Sequence, residues 1–272
     1  MKTRLSEDGT KLVATYELHP FDFDRSGHVT PWTLALLIGY ARLTAITEKS
    51  AFFIPGYLKT ITSFLRYQEF HLHSAFYTDV KPNSSVVVTV GVGYVGRTSY
   101  ELKGDVRLAG SGVMLCSFSV MSVVVDISTR RPVALPESLR RKGKGPRPKS
   151  SLPFPSESPA THSQQFEVRE SDLDFNGHTN QSNYIRFCSD AAAIATKAGR
   201  YSSLKGDLLK YPVKRIAMLY QKEALLGDTL NVESWEIPSK PVSLGFTVKR
   251  GDDDVIQGLF ELHGEHAQRA KL

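Results

Sequence analysis

The sequence has only two cysteines in 272 residues, Cys116 and Cys188. Two thiols cannot build a disulfide framework or a cysteine-rich metal site. Each lies in an apolar stretch, so each reads as a small buried hydrophobe. Long apolar runs are missing as well. None reaches the roughly 18–20 residues of a membrane span. The opening residues, MKTRLSEDGTKLVATYEL, carry acids and no long apolar core, which argues against a secretory leader or a transit peptide. The expectation is a cytoplasmic protein. Acids are scarce in one place. Residues 130–149 hold eight basic side chains against Glu137, a local charge of +7 in a chain whose net charge is +6. The rest of the chain is therefore close to neutral, at −1. Basicity confined to one connector is not the basic face of a nucleic-acid-binding domain, and no nucleic-acid partner is expected.

What is present is the composition of a globular protein, 41% hydrophobic and 23% charged. Residues 127–165 contain seven prolines interleaved with serine and basic residues, a composition that rarely folds. This segment divides the chain into a half at 1–126, a linker at 127–162 and a half at 163–272. Each half opens with a short strand, LVATYELH in the first and SQQFEVRE in the second. A polar loop and a helix follow. Thr30 and Pro31 signpost the start of the first helix, and Asn180 is an N-cap for the second. The first helix body is apolar around its circumference and should be buried. Strands come next: FHLHSAFYTDV, SSVVVTVGVGYVG, TSYELKGDVRLAG and GVMLCSFSVMSVVVD, then KRIAMLYQKEA, DTLNVESWEIPS, VSLGFTVKRG and DVIQGLFELHG. Their β-branched content and short turns predict antiparallel meanders. The fold class is α+β, with a sheet wrapped around a buried helix, twice.

The two polar loops share a frame. Residues 24–28 read DRSGH and residues 174–178 read DFNGH, 150 positions apart. The second sits in DLDFNGHTN, which matches the first half of a calcium-binding EF-hand loop. The second half fails, because position twelve is Asn183 rather than a bidentate glutamate, and the residues before it read as a strand. A plain Asx turn explains Asp174, Asn176 and Gly177 without chemistry. The loop also delivers the chain into the positive end of a buried helix, suited to a developing oxyanion. Asp174, Asn176 and His178 there supply a carboxylate, an amide and a titratable ring. The first copy has Ser26, Thr30 and Leu34 where the second has Asn176, Asn180 and Tyr184. His71 and His73 alternate along FHLHS, but no third ligand accompanies them, so neither metal nor cofactor is expected.

The segment RESDLDFNGHTNQSNYIRF, residues 169–187, resembles the active-site segment of plant and bacterial acyl-ACP thioesterases, with the approximate pattern S-D-x-D-x-N-x-H-x-N-N-x-x-Y-I. Gln181 stands where the pattern has its second adjacent asparagine. The resemblance implies a tandem double hotdog fold, with a degenerate first hotdog that shapes the acyl site and a catalytic second one. It also implies a glutamate on a strand after the helix, which is Glu223 in YQKEA. The family has cysteine after that glutamate and this chain has Ala224, which excludes a cysteine nucleophile at that position. The resemblance thus implies hydrolysis of a fatty acyl thioester carried on ACP or CoA. Asp174, Asn176, His178 and Glu223 would be catalytic, and Asn180, Gln181 and Tyr184 would bind substrate. Oxyanion donors are expected among the N–H groups of the first turn after Asn180. The sequence leaves open which carboxylate acts, and whether the chain is a monomer or a dimer of tandem hotdogs. A non-catalytic acyl-binding protein and a hotdog dehydratase are the alternatives.

Overall fold

The computed structural model describes residues 1–8, 10–47, 52–143, 145–148, 151–152, 160–237 and 242–264. They form two compact units, Met1–Val29 with Leu34–Ser150, and Ser151–Leu272 with Thr30–Thr33.

The first unit contains β1 (Lys2–Leu5), β2 (Lys11–Glu17), α1 (Pro31–Thr47) from Leu34 onward, β3 (Ile61–Leu72), the helical turn α2 (Ala75–Thr78), β4 (Ser85–Val95), β5 (Ser99–Leu108), β6 (Met114–Asp126) and the turn α3 (Glu137–Arg140). Its strands pair antiparallel in the order β1-β2-β4-β5-β6-β3. The Thr33 N–H donates to Thr30 Oγ1 at 3.2 Å, which caps α1 as the sequence suggests. Leu34, Ala35, Ile38, Ala41 and Ala45 of α1 are buried. The Tyr16 hydroxyl of β2 donates to the Leu37 carbonyl at 3.0 Å and ties helix to sheet.

The second unit contains β7 (His162–Glu167), α4 (Gln181–Lys197), β8 (Val213–Tyr220), β9 (Thr229–Ile237), β10 (Ser243–Arg250) and β11 (Asp253–Leu262). Its antiparallel order is β8-β11-β10-β9-β7. Helix α4 packs on β7 and β9. Ala191, Ala192 and Ala195 are fully buried, so small side chains let the helix lie close to its surroundings. Phe187 stacks on Phe166 of β7 with ring centroids 5.1 Å apart. Each unit is thus a sheet curled about one long helix.

Three expectations change. The first strand after α1 is Ile61–Leu72, earlier than expected, and the AFYT of FHLHSAFYTDV is the turn α2. A bulge between Leu65 and Tyr67 breaks the alternation of β3, so the strand is faint in the sequence. Second, β8 ends at Tyr220, so Glu223 lies in the following loop rather than on a strand. There the Gln221 and Lys222 N–H groups both reach the single Val255 carbonyl, at 2.9 and 3.2 Å, and the ladder stops. Third, the front of the proline-rich segment is packed. The Val133 N–H donates to the Val124 carbonyl at 2.9 Å and the Leu135 N–H to the Arg97 carbonyl at 2.7 Å. Leu135 and Leu139 are buried. Two leucines in a basic, proline-rich stretch were enough to anchor it, while Arg131, Arg140 and Arg141 stay exposed. Of the rest of that segment, residues 144, 149–150 and 153–159 lie outside the described residues.

Phe187 is only 2% exposed. Phe187→Ala leaves a cavity between α4 and β7 and is expected to cost about 3–5 kcal/mol of stability. Chemical denaturation followed by circular dichroism measures it, and a loss below about 1 kcal/mol would mean the helix–strand contact is not as described.

Candidate active site

The polar loop of the second unit is built by its own backbone. The Asp174 N–H donates to the His178 carbonyl at 2.7 Å and the Gly177 N–H to the Asp174 carbonyl at 2.9 Å. Asp174 Oδ1 accepts from the Asn176 N–H at 2.8 Å and from the His178 N–H at 3.4 Å. Gly177 takes φ +74°, with no atom within 4 Å of where a Cβ would sit, so the backbone angle and not crowding calls for glycine. A bridge between Leu173 and Thr179 closes the hairpin.

The same loop exists in the first unit. Asp24 Oδ1 accepts from the Ser26 N–H at 2.8 Å and the His28 N–H at 3.1 Å, and Gly27 has φ +78°. The shared frame is therefore a shape, and one oxygen of Asp174 is committed to it.

Chemistry separates the copies. In the second unit the His178 Nε2 lies 3.4 Å from Glu223 Oε2, with side chains 14% and 34% exposed. In the first unit the His28 ring instead meets Tyr77 of α2 edge-on, with centroids 5.3 Å apart.

A clip brings His178 and Glu223 together. The Ala224 carbonyl accepts from the Thr179 N–H at 2.9 Å and from the Thr179 hydroxyl at 3.0 Å. Thr179 follows His178 and Ala224 follows Glu223, so joining the followers joins the pair. Tyr184 of α4 is 3% exposed and its hydroxyl faces Thr179 and the Ala224 backbone. Burial pushes its phenol up to about 12, so it stays neutral and braces the clip. Asn180 caps α4, its side-chain oxygen accepting from the Ser182 N–H at 3.0 Å and the Ser182 hydroxyl at 2.9 Å. The Asn183 N–H donates to the Asn180 carbonyl at 2.9 Å. Two of the N–H groups expected to hold an oxyanion, those of Ser182 and Asn183, are thus occupied by the cap itself. Gln181 is half-buried at the first helical position, and Asn176 is half-buried in the loop. Phe175, Leu225 and Leu226 are exposed apolar side chains on the two segments that carry the pair.

Sequence reasoning missed several supporting residues. Asp172 is buried and contacts Arg186 of α4, while its carboxylate accepts from the Arg169 N–H at 2.9 Å. The Asp172 carbonyl accepts from the Asn180 N–H at 2.8 Å and Asn183 Nδ2 at 2.9 Å, locking loop to helix. The repeat was the signal: Asp22 Oδ2 accepts from the His19 N–H at 2.8 Å in the first unit. Asp228 and Arg250 were also missed. Asp228 Oδ2 accepts from the Leu225 N–H at 2.8 Å and from Arg250 Nη1 at 2.9 Å. Arg250 Nη1 also reaches the Glu223 carbonyl at 3.2 Å. Burial works to raise the Asp228 carboxyl, but the Leu225 N–H and Arg250 outweigh it and hold it below the usual carboxylate range. No local pattern marks this contact, because Arg250 lies on a different strand. Among the described residues no group of three or more His, Cys, Asp or Glu side chains could hold a metal ion.

Residues 156–259 match the family model described as the acyl-ACP thioesterase C-terminal domain. No curated protein matches the chain. Solved structures are similar over nearly all of it. A Lactobacillus plantarum protein described as an oleoyl thioesterase superposes with a TM-score of 0.78 at 16% identity, covering 97% of this chain and 99% of its own. The 12:0-ACP thioesterase from Umbellularia californica gives 0.74 at 14% identity, covering 93% and 94%. An acyl-ACP thioesterase from Bacteroides thetaiotaomicron gives 0.74 at 19% identity, covering 95% and 100%. At these identities the likeness is one of fold, the double hotdog.

Cys116 and Cys188 are completely buried, and burial pushes both thiols well above their ordinary range. The native protein is expected to resist N-ethylmaleimide at neutral pH and to react at both thiols once unfolded. Mass spectrometry reads this directly, and fast alkylation of folded protein would contradict the burial.

Proposed function

We infer that the chain hydrolyses fatty acyl thioesters in the manner of acyl-ACP thioesterases, with residues 156–259 carrying the chemistry. The observation that carries this reading is the approach of His178 Nε2 to Glu223 Oε2, 3.4 Å apart, beside the capped N-terminal end of α4. The matched family model covers all of these residues.

Glu223 is the carboxylate that acts in this reading, because it is the one that faces the His178 ring. Glu223 takes a proton from a water molecule as the water oxygen adds to the thioester carbon. Asn176 orients that water or the carbonyl. Negative charge on the carbonyl oxygen is met by the positive end of α4. Collapse of the tetrahedral intermediate breaks the carbon–sulfur bond. His178 relays the proton to the leaving thiolate, giving free fatty acid and carrier thiol. Asp174, Asn180 and Tyr184 hold the loop, the helix end and the clip in place, and Gln181 lines the entry to α4. Phe175, Leu225 and Leu226 offer apolar surface to the acyl end or to the carrier's arm. ACP is the carrier this reading favours, with CoA as the alternative. A cytoplasmic location is part of the same proposal. Among the described residues no helix is long and apolar enough to cross a membrane.

Free thiol release from long-chain acyl-ACP and acyl-CoA tests the reading. Wild-type protein should release thiol, while Glu223→Gln and His178→Asn should each lower kcat by about 10²–10⁴-fold. Asn176→Ala should lower it too. Wild-type protein that releases no thiol from either carrier would end the hydrolase reading. Loss of water from a β-hydroxyacyl substrate would move it to a dehydratase.

The loop's double role gives a second test. Asp24→Ala and Asp174→Ala should each cost about 1–2 kcal/mol of stability, because each removes an acceptor from backbone N–H groups. Only Asp174→Ala should also reduce thiol release. Equal activity loss in both variants would show that turnover follows folding alone.

A further inference from the structure

We propose that Arg250 is a positioning residue, acting through Asp228 and the Glu223 carbonyl to fix the turn that presents the Glu223 carboxylate to His178. The proposal rests on the hydrolase reading above. Arg250 ends β10, and its Nη1 donates both to Asp228 Oδ2 at 2.9 Å and to the Glu223 carbonyl at 3.2 Å. Asp228 Oδ2 in turn accepts the Leu225 N–H at 2.8 Å. One guanidinium therefore grips the acid's own peptide and the residue that closes its turn. On the outer side Asp253 approaches Arg250 Nη2 at 3.8 Å and contacts Lys222. A carboxylate on a flexible loop would sample many directions, and a fixed main chain narrows these to the ones that meet the imidazole.

The first unit shows that the turn does not need this charge in order to fold. The Leu18 N–H reaches the Ser84 carbonyl at 2.9 Å, just as the Val168 N–H reaches the Asp228 carbonyl at 2.9 Å. The Asn83 N–H reaches the Leu18 carbonyl and the Gly227 N–H the Val168 carbonyl, and both donors have positive φ. The Lys81 N–H donates to Ser84 Oγ at 3.0 Å in the place of the Leu225–Asp228 bond. Ser84 is thus the counterpart of Asp228, and counting back gives Asp79 as the counterpart of Glu223. Strand pairing gives the third. Tyr16 and Val86 pair as Phe166 and Leu230 do, and Val86 faces Leu108 on the next strand. Asn231 pairs with Lys249, so the residue facing Leu230 is Arg250. Leu108 therefore occupies the Arg250 position. The unit whose histidine meets Tyr77 closes the same turn with a hydroxyl and an apolar side chain. Only the unit whose histidine meets a glutamate carries the Asp–Arg brace.

The test uses the full chain with Arg250→Met, Arg250→Lys and Asp228→Asn, each alone and with Glu223→Gln. Thiol release from acyl-ACP gives kcat and KM separately. Arg250→Met should lower kcat by about 10²-fold while KM changes by less than about threefold. Arg250→Lys should recover part of the loss, because it keeps the charge beside Asp228. Combined with Glu223→Gln, Arg250→Met should lower kcat no further, since Arg250 works through that carboxylate. The NMR resonance of the His178 ring should move in Arg250→Met in the direction it moves in Glu223→Gln. An unchanged kcat in Arg250→Met, an equal further loss in the Glu223→Gln background, or an unmoved His178 resonance each overturns the proposal. Thermal melting at the assay temperature separates loss of folded protein, and a kcat deficit that only tracks the folded fraction overturns it too. If wild-type protein releases no thiol, the hydrolase reading fails, and the His178 resonance still decides whether Arg250 positions Glu223.

Discussion

One carbonyl joins the two halves of the candidate site. Ala224 accepts both the N–H and the hydroxyl of Thr179, so two segments 45 positions apart meet at a single oxygen. Consecutive Cα atoms are only about 3.8 Å apart, so pinning these two residues leaves their predecessors little room to separate. Those predecessors are His178 and Glu223. Thr179 and Ala224 are buried and Tyr184 lies against them, which keeps water from competing for the shared acceptor. The loop and the helix cap adjoin Thr179 on one side of this joint, and the Asp228–Arg250 brace holds the segment of Ala224 on the other.

Much of this was legible in the residues, because much of it is local. Thr30 and Asn180 cap their helices as their types predict. The Asp-x-x-Gly-His frame is a turn written within five residues, and both copies fold alike. Strands with steady alternation, such as β4, stood out. The bulged β3 did not, and neither did the end of β8, where two N–H groups share one acceptor on β11. The burial of Leu135 and Leu139 was masked by the prolines and cations around them. Arg250 and Asp228 were invisible for a different reason: their meeting is a property of strand register, and a single sequence carries no record of it. Glu223 itself was reached only through resemblance to a family.

The internal repeat separates architecture from chemistry. Both units build the same elbow before the helix and the same closing turn after the β3 or β8 strand. Among the differences are Ser26 against Asn176, Tyr77 against Glu223 as the partner of the histidine, and Leu108 against Arg250. Four additional residues before the closing turn of the first unit accommodate α2, which brings Tyr77 to the histidine.

The elbow from Asp174 to His178 is closed by backbone hydrogen bonds among its own five residues. A motif that is self-contained in this way is portable. Its middle residue is Ser26 in one copy and Asn176 in the other, while the backbone bonds to the aspartate stay the same. Duplication of such a chain therefore hands evolution a ready-made mount in each copy, free to carry different side chains in the two.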